Sequence, residues 1–138
     1  MRIVLDTNSI LVTLSKKSPY RPIFDAIIDN KLTLLVSNEI LMEYAEIIEK
    51  RASIIVSTNV TEFLVQAKSV EKIEIYYKWH LIEKDVDDNK FVDCAVSGNA
   101  DYLVTDDKHF SQLYKVNFPA VKVIKTKDFL KLLINSKN

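Results

Sequence analysis

Apolar positions follow two rhythms along this chain. Short continuous blocks, Ile3-Val4-Leu5, Leu32 to Val36, Leu103-Val104 and Val121 to Ile124, read as strands buried on both faces. Between them apolar residues recur every three or four positions, the helical period. Ile10, Leu11 and Leu14 mark a first helix that fails at Ser18-Pro19, because a residue before proline avoids the helical region. Pro22 suits the first turn of a second helix bearing Ile23, Phe24, Ile27 and Ile28. Ser37 is a good N-cap for a long amphipathic helix with Ile40, Leu41, Tyr44, Ile47 and Ile48 inside. A further helix is expected from about Asn59 to Lys68, with Val60, Phe63, Leu64 and Ala67 inward. The stretch 73–82 fits either a short strand at Ile75 to Tyr77 or irregular chain. Asp87-Asp88-Asn89 opens a helix carrying Phe91, Val92, Ala95 and Val96, and Gly98 is expected to close it in the left-handed conformation. A strand at 102–105 and a short helix near 108–113 come next. The strand at Val121 to Ile124 follows, and a helix over 128–134 ends the pattern.

Strands alternating with helices imply an α/β fold: a three-layer sandwich around a central, mostly parallel sheet of about four or five strands. Strand order is not written in the pattern. At 138 residues and 48% apolar composition, the chain reads as one domain over 1–138, with residues 135–138 a frayed tail. Lys plus Arg and Asp plus Glu both number 19, which argues against gripping nucleic acid through overall charge and leaves a local basic patch open. The single cysteine, Cys94, excludes an internal disulfide and points to a reducing compartment; it lies in an apolar helical stretch and reads as core filler. With one glycine there is no glycine-rich phosphate loop. No targeting segment is visible, and no apolar run approaches the ~20 residues that cross a bilayer. The expectation is a cytoplasmic protein without a membrane partner.

The chemistry collects at strand ends. Asp6 stops the first apolar run, and Asp106-Asp107 stop the strand at 102–105. Ligands of open α/β sheets gather outside the carboxyl ends of strands. Asp88 opens a helix, and helix N-termini begin on that same edge. Glu43 lies six residues beyond the Ser37 cap, beside Tyr44 and next to the apolar stripe of its helix. Each of these acids alone has an ordinary reading as turn, cap or solvated face; their combination carries the signal. Asp87 competes with Asp88, and Asp106 with Asp107, by one residue. Asp93, about one and a half turns beyond Asp88, is a possible additional acid. Crowded carboxylates push one another's pKa upward, and Mg²⁺ or Mn²⁺, which take oxygen ligands, relieve that cost. Such ions acidify a water and polarise a phosphoryl oxygen. That combination suits phosphodiester hydrolysis. No Ser-His-Asp or Cys-His arrangement is apparent.

Three motifs in order extend the reading: Ile3-Val4-Leu5-Asp6-Thr7-Asn8, Ser37-Asn38-Glu39-Ile40-Leu41-Met42-Glu43-Tyr44, and Asp87-Asp88-Asn89-Lys90-Phe91-Val92-Asp93-Cys94-Ala95 leading to Ala100-Asp101-Tyr102-Leu103-Val104-Thr105-Asp106-Asp107. With them the chain resembles PIN-domain ribonucleases, especially the toxin components of prokaryotic toxin–antitoxin pairs, over roughly residues 1 to 130. The resemblance implies a PIN-like fold and an acid set of Asp6, Glu43, Asp88 and Asp107 that is both catalytic and metal-binding. It implies Mg²⁺ or Mn²⁺, single-stranded RNA as substrate, a homodimer and a cognate antitoxin. Thr7, Asn8 and Thr105 look like groups that orient carboxylates or water. Asp106 stands where the family often has glycine, and the segment Ile54 to Lys84 carries no usable motif.

Lys16, Lys17, Arg21, Lys90 and Lys108 are candidates to meet RNA phosphates, against the alternative of solvated surface lysines. His109 reads either as a proton donor or as an exposed loop histidine. Tyr76, Tyr77 and Trp79 read as base-stacking groups or as core and dimer contacts. Two other functions stay open. One is a noncatalytic PIN-like module that binds RNA or protein. The other is a phosphatase of the haloacid dehalogenase type, which needs a second aspartate two residues after the first, where this chain has Asn8.

Overall fold

A computed structural model describes residues 1–83 and 85–136. Strand β1 (Arg2–Leu5) leads to helices α1 (Thr7–Leu14) and α2 (Arg21–Ile28). Strand β2 (Thr33–Val36), helices α3 (Asn38–Arg51) and α4 (Ile54–Gln66) and strand β3 (Val70–Lys72) follow. A 3-10 turn at Val86–Asp88 runs into α5 (Asn89–Ser97). Strand β4 (Tyr102–Val104), a 3-10 segment at Lys108–Lys115, strand β5 (Val123–Ile124) and helix α6 (Thr126–Ser136) complete the chain. The strands form one all-parallel sheet in the order β3-β2-β1-β4-β5. Helices flank it, as the strand pattern implied.

The order explains where a site forms. From β1 the chain moves outward one way, through β2 to β3, then returns to β4 on the other side of β1 and continues to β5. Right-handed crossovers therefore put α1 to α4 on one face and α5 on the other. Phe24 of α2 and Phe63 of α4 touch at 5.6 Å between ring centres on the first face. Phe91 of α5 and Phe110 of the 3-10 segment lie 6.5 Å apart on the second. Strands β1 and β4 pair side by side at the switch point, and the connections leaving their carboxyl ends go to opposite faces, which opens a crevice there. Both strands are held rigidly: Ile3, Val4, Leu5, Leu103 and Val104 are all 0% exposed.

Several elements sit elsewhere than the periodicity suggests. Helix α4 begins at Ile54 because the Ser53 hydroxyl accepts from the Val56 amide, a cap hidden by exposed apolar residues in the first turn. Of the two readings of 73–82, irregular chain is the one found, and the strand lies before it, β3 at Val70–Lys72. Ile28, placed inside by spacing, is 41% exposed. The short helix expected near 108–113 is a 3-10 segment at Lys108–Lys115. Asn135 and Ser136 are the last residues of α6. Lys84, at the end of the motif-free stretch, and Lys137 and Asn138, where the tail is expected to fray, lie outside the described residues. Cys94 is fully buried, as expected of core filler.

Gly98 closes α5 for a different reason from the expected one. Its φ is −91°, and the left-handed residue is Asn99 at φ 52°. Space is what requires glycine: a Cβ would stand 2.7 Å from Leu35 Cδ1 and 3.1 Å from the Cys94 carbonyl oxygen. Leu35 is itself fully buried on β2 and has little room to yield. Gly98→Ala should therefore cost about 1–3 kcal/mol through overpacking, read as a lower urea midpoint with an unchanged slope. A midpoint equal to wild type would show that the Leu35 side chain rotates away freely.

Candidate active site

Asp6 stands where β1 ends and α1 begins. The Asp6 amide still donates to the Val104 carbonyl of β4, 3.0 Å away, so the residue remains part of the sheet. Its side chain caps α1, with Oδ1 accepting from the Thr7 amide at 2.7 Å. Its other oxygen accepts from the Thr105 hydroxyl at 2.7 Å. Asp6 is 6% exposed, and burial pushes its pKa up; the Thr105 and Thr7 bonds oppose that, while Asp107 and Glu43 reinforce it.

Glu43 reaches this edge because its neighbour is anchored there. The Tyr44 ring is buried against the core, and its hydroxyl donates to the carbonyl of Leu5, the last residue of β1. That fixes the second turn of α3 beside Asp6. Glu43 Oε2 accepts from the Thr7 hydroxyl, and Oε1 pairs with Lys90 Nζ at 2.8 Å. Lys90 comes from α5, so the pair bridges helices from the two faces across the end of the sheet. Its ammonium also donates to the Asp87 carbonyl at 2.7 Å.

Asp88 and Asp107 complete the set. The Asp107 amide donates to the Thr105 hydroxyl at 3.0 Å, which turns the chain after β4 back over the crevice. Asp107 Oδ1 accepts from the His109 amide at 2.9 Å. Asp88 is 9% exposed, and its Oδ2 is buried with no hydrogen-bond partner among the described residues. Its pKa is pushed up to about 6, first by burial, then by the charges of Asp85, Asp6 and Asp107, with His109 acting in the opposite direction. Asp6 therefore feels the charges of Glu43 and Asp107, and Asp88 those of Asp6 and Asp107, although these acids come from remote parts of the chain.

The one-residue ambiguities take clear geometric form. Asp106 caps α6, accepting from the Thr126 amide at 3.0 Å and the Thr126 hydroxyl at 2.9 Å. Asp107 faces the acids. Asp87 is exposed, whereas Asp88 is buried. Thr7 and Thr105 both hold carboxylates, but Asn8 is exposed and its side chain makes no hydrogen bond among the described residues.

Asp93 lies away from the cluster. Its Oδ1 accepts from the Trp79 amide at 3.0 Å, and its charged neighbours are His80, Lys78 and Glu39. It lines a separate cavity of about 350 Å³ between the start of α3, the 73–80 segment and α5.

Arg21 is occupied within its own helix and at the end of α1. It pairs with Asp25 at 2.8 Å, bonds the Leu14 carbonyl and covers the Phe24 ring. Lys90 likewise turns inward to Glu43. Lys16, Lys17 and Lys108 are exposed. Trp79 packs edge-on against Tyr77 and Phe118, with ring centres 4.5 and 5.8 Å away.

Two participants were not singled out by the motifs. Asp85 caps the 3-10 turn through the Asp87 amide, at 3.1 Å, and offers a ligand atom near those of Asp88 and His109. Its spacing of three residues from Asp88, one helical turn, was the available signal. His109, read from the sequence as either a proton donor or an exposed loop residue, stands 3.5 Å from carboxylate oxygens of both Asp88 and Asp107.

A family model described as PIN domain matches residues 2–109. The chain belongs to the PIN domain family. This PIN domain is similar in structure to VapBC2 from Rickettsia felis bound to a DNA fragment from their promoter, with TM-score 0.62 and 17% identity over 91% of this chain and 98% of that one. VapBC-1 from nontypeable Haemophilus influenzae gives TM-score 0.56 and 17% identity over 92% and 99%. The RRP44 PIN domain of T. brucei gives 0.54 and 12% over 98% and 82%. At these identities the likeness is one of fold. No curated protein matches the chain at the sequence level.

The raised pKa of Asp88 has a direction that can be measured in this PIN domain. A carboxyl raised from 3.8 to about 6 binds more protons folded than unfolded between those values. Stability from this group is therefore present below that window and lost as pH rises through it. In EDTA, Asp88→Asn should be more stable than wild type at pH 7.5 by roughly 1–3 kcal/mol, and the gain should vanish at pH 4. Urea denaturation at both pH values checks it; equal stabilities at pH 7.5 would contradict the argument that burial and neighbouring charge disfavour the Asp88 carboxylate.

Proposed function

We propose that this chain is a metal-dependent endoribonuclease that cleaves single-stranded RNA by attack of water on the phosphodiester. In this reading it is the toxin component of a toxin–antitoxin pair. The observation that carries the proposal is the convergence of Asp6, Glu43, Asp88 and Asp107 at the sheet's switch point, with one oxygen of Asp88 buried and unpartnered. These donors fit Mg²⁺ or Mn²⁺: they are hard, mutually repelling oxygens, and Asp88 Oδ2 has no hydrogen bond among the described residues. Asp88 would hold the ion, with Asp6, Glu43 and Asp107 around it; among the described residues the one set of three side chains whose ligand atoms lie within 4.8 Å of one another is Asp85, Asp88 and His109. When bound, such a cation neutralises the carboxylates, polarises a phosphoryl oxygen and acidifies a water.

The chain's own residues do the rest. Thr105 fixes the rotation of Asp6 from one side, and the Thr7 amide fixes it from the other. Thr7 and Lys90 hold Glu43 at the rim, where it is placed to accept a proton from an attacking water. Exposed Lys16, Lys17 and Lys108 are the candidates to meet RNA phosphates. The Tyr77–Trp79–Phe118 cluster offers faces on which bases can stack.

Similarity to the VapBC structures supports an antitoxin as the protein partner. Exposed apolar side chains on α3 and α4, among them Met42, Ile54, Ile55 and Val65, supply surface for that partner or for a second copy of this chain. No helix among the described residues is long and apolar enough to cross a membrane.

Cleavage of an unstructured RNA oligonucleotide should require added Mg²⁺ or Mn²⁺ and stop in EDTA. Asp6→Asn should lower the rate on the order of 100-fold or more while circular dichroism remains native. A fully active Asp6→Asn protein would remove the assignment. RNA binding without turnover would leave the noncatalytic module in its place.

A further inference from the structure

We infer that His109 is a nitrogen ligand in a cation site shared with Asp85 and Asp88, and that it biases this site toward first-row transition ions and away from Mg²⁺. The inference rests on the metal-dependent reading above and deepens it, because an all-carboxylate cluster would carry no such bias.

The geometry is specific. Asp85, Asp88 and His109 each offer a ligand atom, all within 4.8 Å of one another. His109 Nδ1 lies 3.5 Å from Asp88 Oδ2 and 3.5 Å from Asp107 Oδ1. These separations exceed the roughly 2.7–3.2 Å of an N–H···O hydrogen bond. Nδ1 and Asp88 Oδ2 are both buried and both lack a hydrogen-bond partner among the described residues. Two ligands each about 2.1 Å from a tetrahedral ion would stand about 3.4 Å apart, close to the observed spacing.

The His109 backbone and the Asp85 side chain are also held in place by bonds that leave ligand atoms free. The His109 amide donates to Asp107 Oδ1 at 2.9 Å, which fixes the start of the 3-10 segment over the crevice. Asp85 Oδ1 accepts from the Asp87 amide at 3.1 Å, which holds its carboxylate one turn before Asp88. Asp88 is carried by the junction of that turn with α5 and bears no side-chain cap bond of its own.

The donor set determines the preference. Mg²⁺ demands oxygen ligands in near-octahedral array, whereas imidazole affinity rises from Mn²⁺ along the first transition row. An imidazole at this position therefore lowers the standing of Mg²⁺ relative to ions that accept nitrogen.

Mn²⁺ is the probe. Untagged, metal-free protein is loaded with Mn²⁺, and its electron spin echo is examined for modulation by a coordinated ¹⁴N nucleus. Wild type should show the modulation, His109→Gln should lose it, and His80→Gln, altering the other histidine, should keep it. His109→Gln should weaken Mn²⁺ binding about tenfold or more while changing Mg²⁺ affinity, measured by competition, much less. Asp85→Asn should weaken Mn²⁺ while keeping the nitrogen signal. Mn²⁺ bound to wild type without ¹⁴N modulation, or equal losses of Mg²⁺ and Mn²⁺ in His109→Gln, would overturn the inference and leave the nuclease reading intact. Failure of wild type to bind either ion would overturn both.

Discussion

Carboxylates brought together out of water repel one another, and the carboxyl edge of this sheet is built around restraining that repulsion. Asp6 is compensated by a hydroxyl and an amide, Glu43 by an ammonium and a hydroxyl, and Asp107 by the His109 amide. Asp88 Oδ2 has no such partner among the described residues. Its pKa rises to about 6, first because burial disfavours its charge and then because Asp85, Asp6 and Asp107 stand near it. A fold selected for stability alone would place an apolar residue or a paired amide at this position. Retaining a strained acid there marks the edge as a place where stability gives way to chemistry.

The restraint comes from the strands below. A carboxylate can be held against its neighbours only if the backbone carrying it cannot retreat. β1 and β4 are paired in register from Ile3 opposite Tyr102 to Leu5 opposite Val104, and Asp6 continues the ladder through its amide. The buried Tyr44 hydroxyl bonded to Leu5 ties α3 to the same point. Thr105 serves two acids at once, donating to Asp6 and accepting from the Asp107 amide. The positions of Asp6 and Asp107 are consequently coupled through one hydroxyl, and a change at Thr105 would disturb both.

Much of this architecture was legible in the sequence because it depends on local rules. Continuous apolar runs marked β1, β2 and β4, and acids ending two of them marked Asp6 and the pair Asp106-Asp107, between which the α6 cap decides. Ser37 announced α3 and so fixed where Glu43 would fall. The misplaced features depend on tertiary relations that no window of sequence contains. β3 has only Val70 as an apolar side chain, and its pairing to β2 identifies it rather than its composition. Gly98 is set by the proximity of Leu35, 63 positions away, and not by its own dihedral angle. Asp93 looked available because helical spacing placed it near Asp88; the irregular 73–82 stretch captures it through the Trp79 amide. His109 gave no periodic signal because its role depends on how the 3-10 segment folds back over the crevice.

The balance of 19 basic and 19 acidic residues acquires meaning at this point. Arg21 and Lys90, two of the candidate phosphate contacts, are spent on internal partners. The exposed lysines beside the edge are then few, and the acids beneath them would repel a polyanion. A phosphodiester can approach such a surface only when the cluster's negative charge is cancelled. In the proposed nuclease the cation is thus required for substrate binding as well as for chemistry, and affinity for RNA and occupancy of the acid cluster rise together. That coupling follows from electrostatics alone. It would distinguish the proposed nuclease from nucleic-acid binders whose basic surface attracts the chain before any ion is bound.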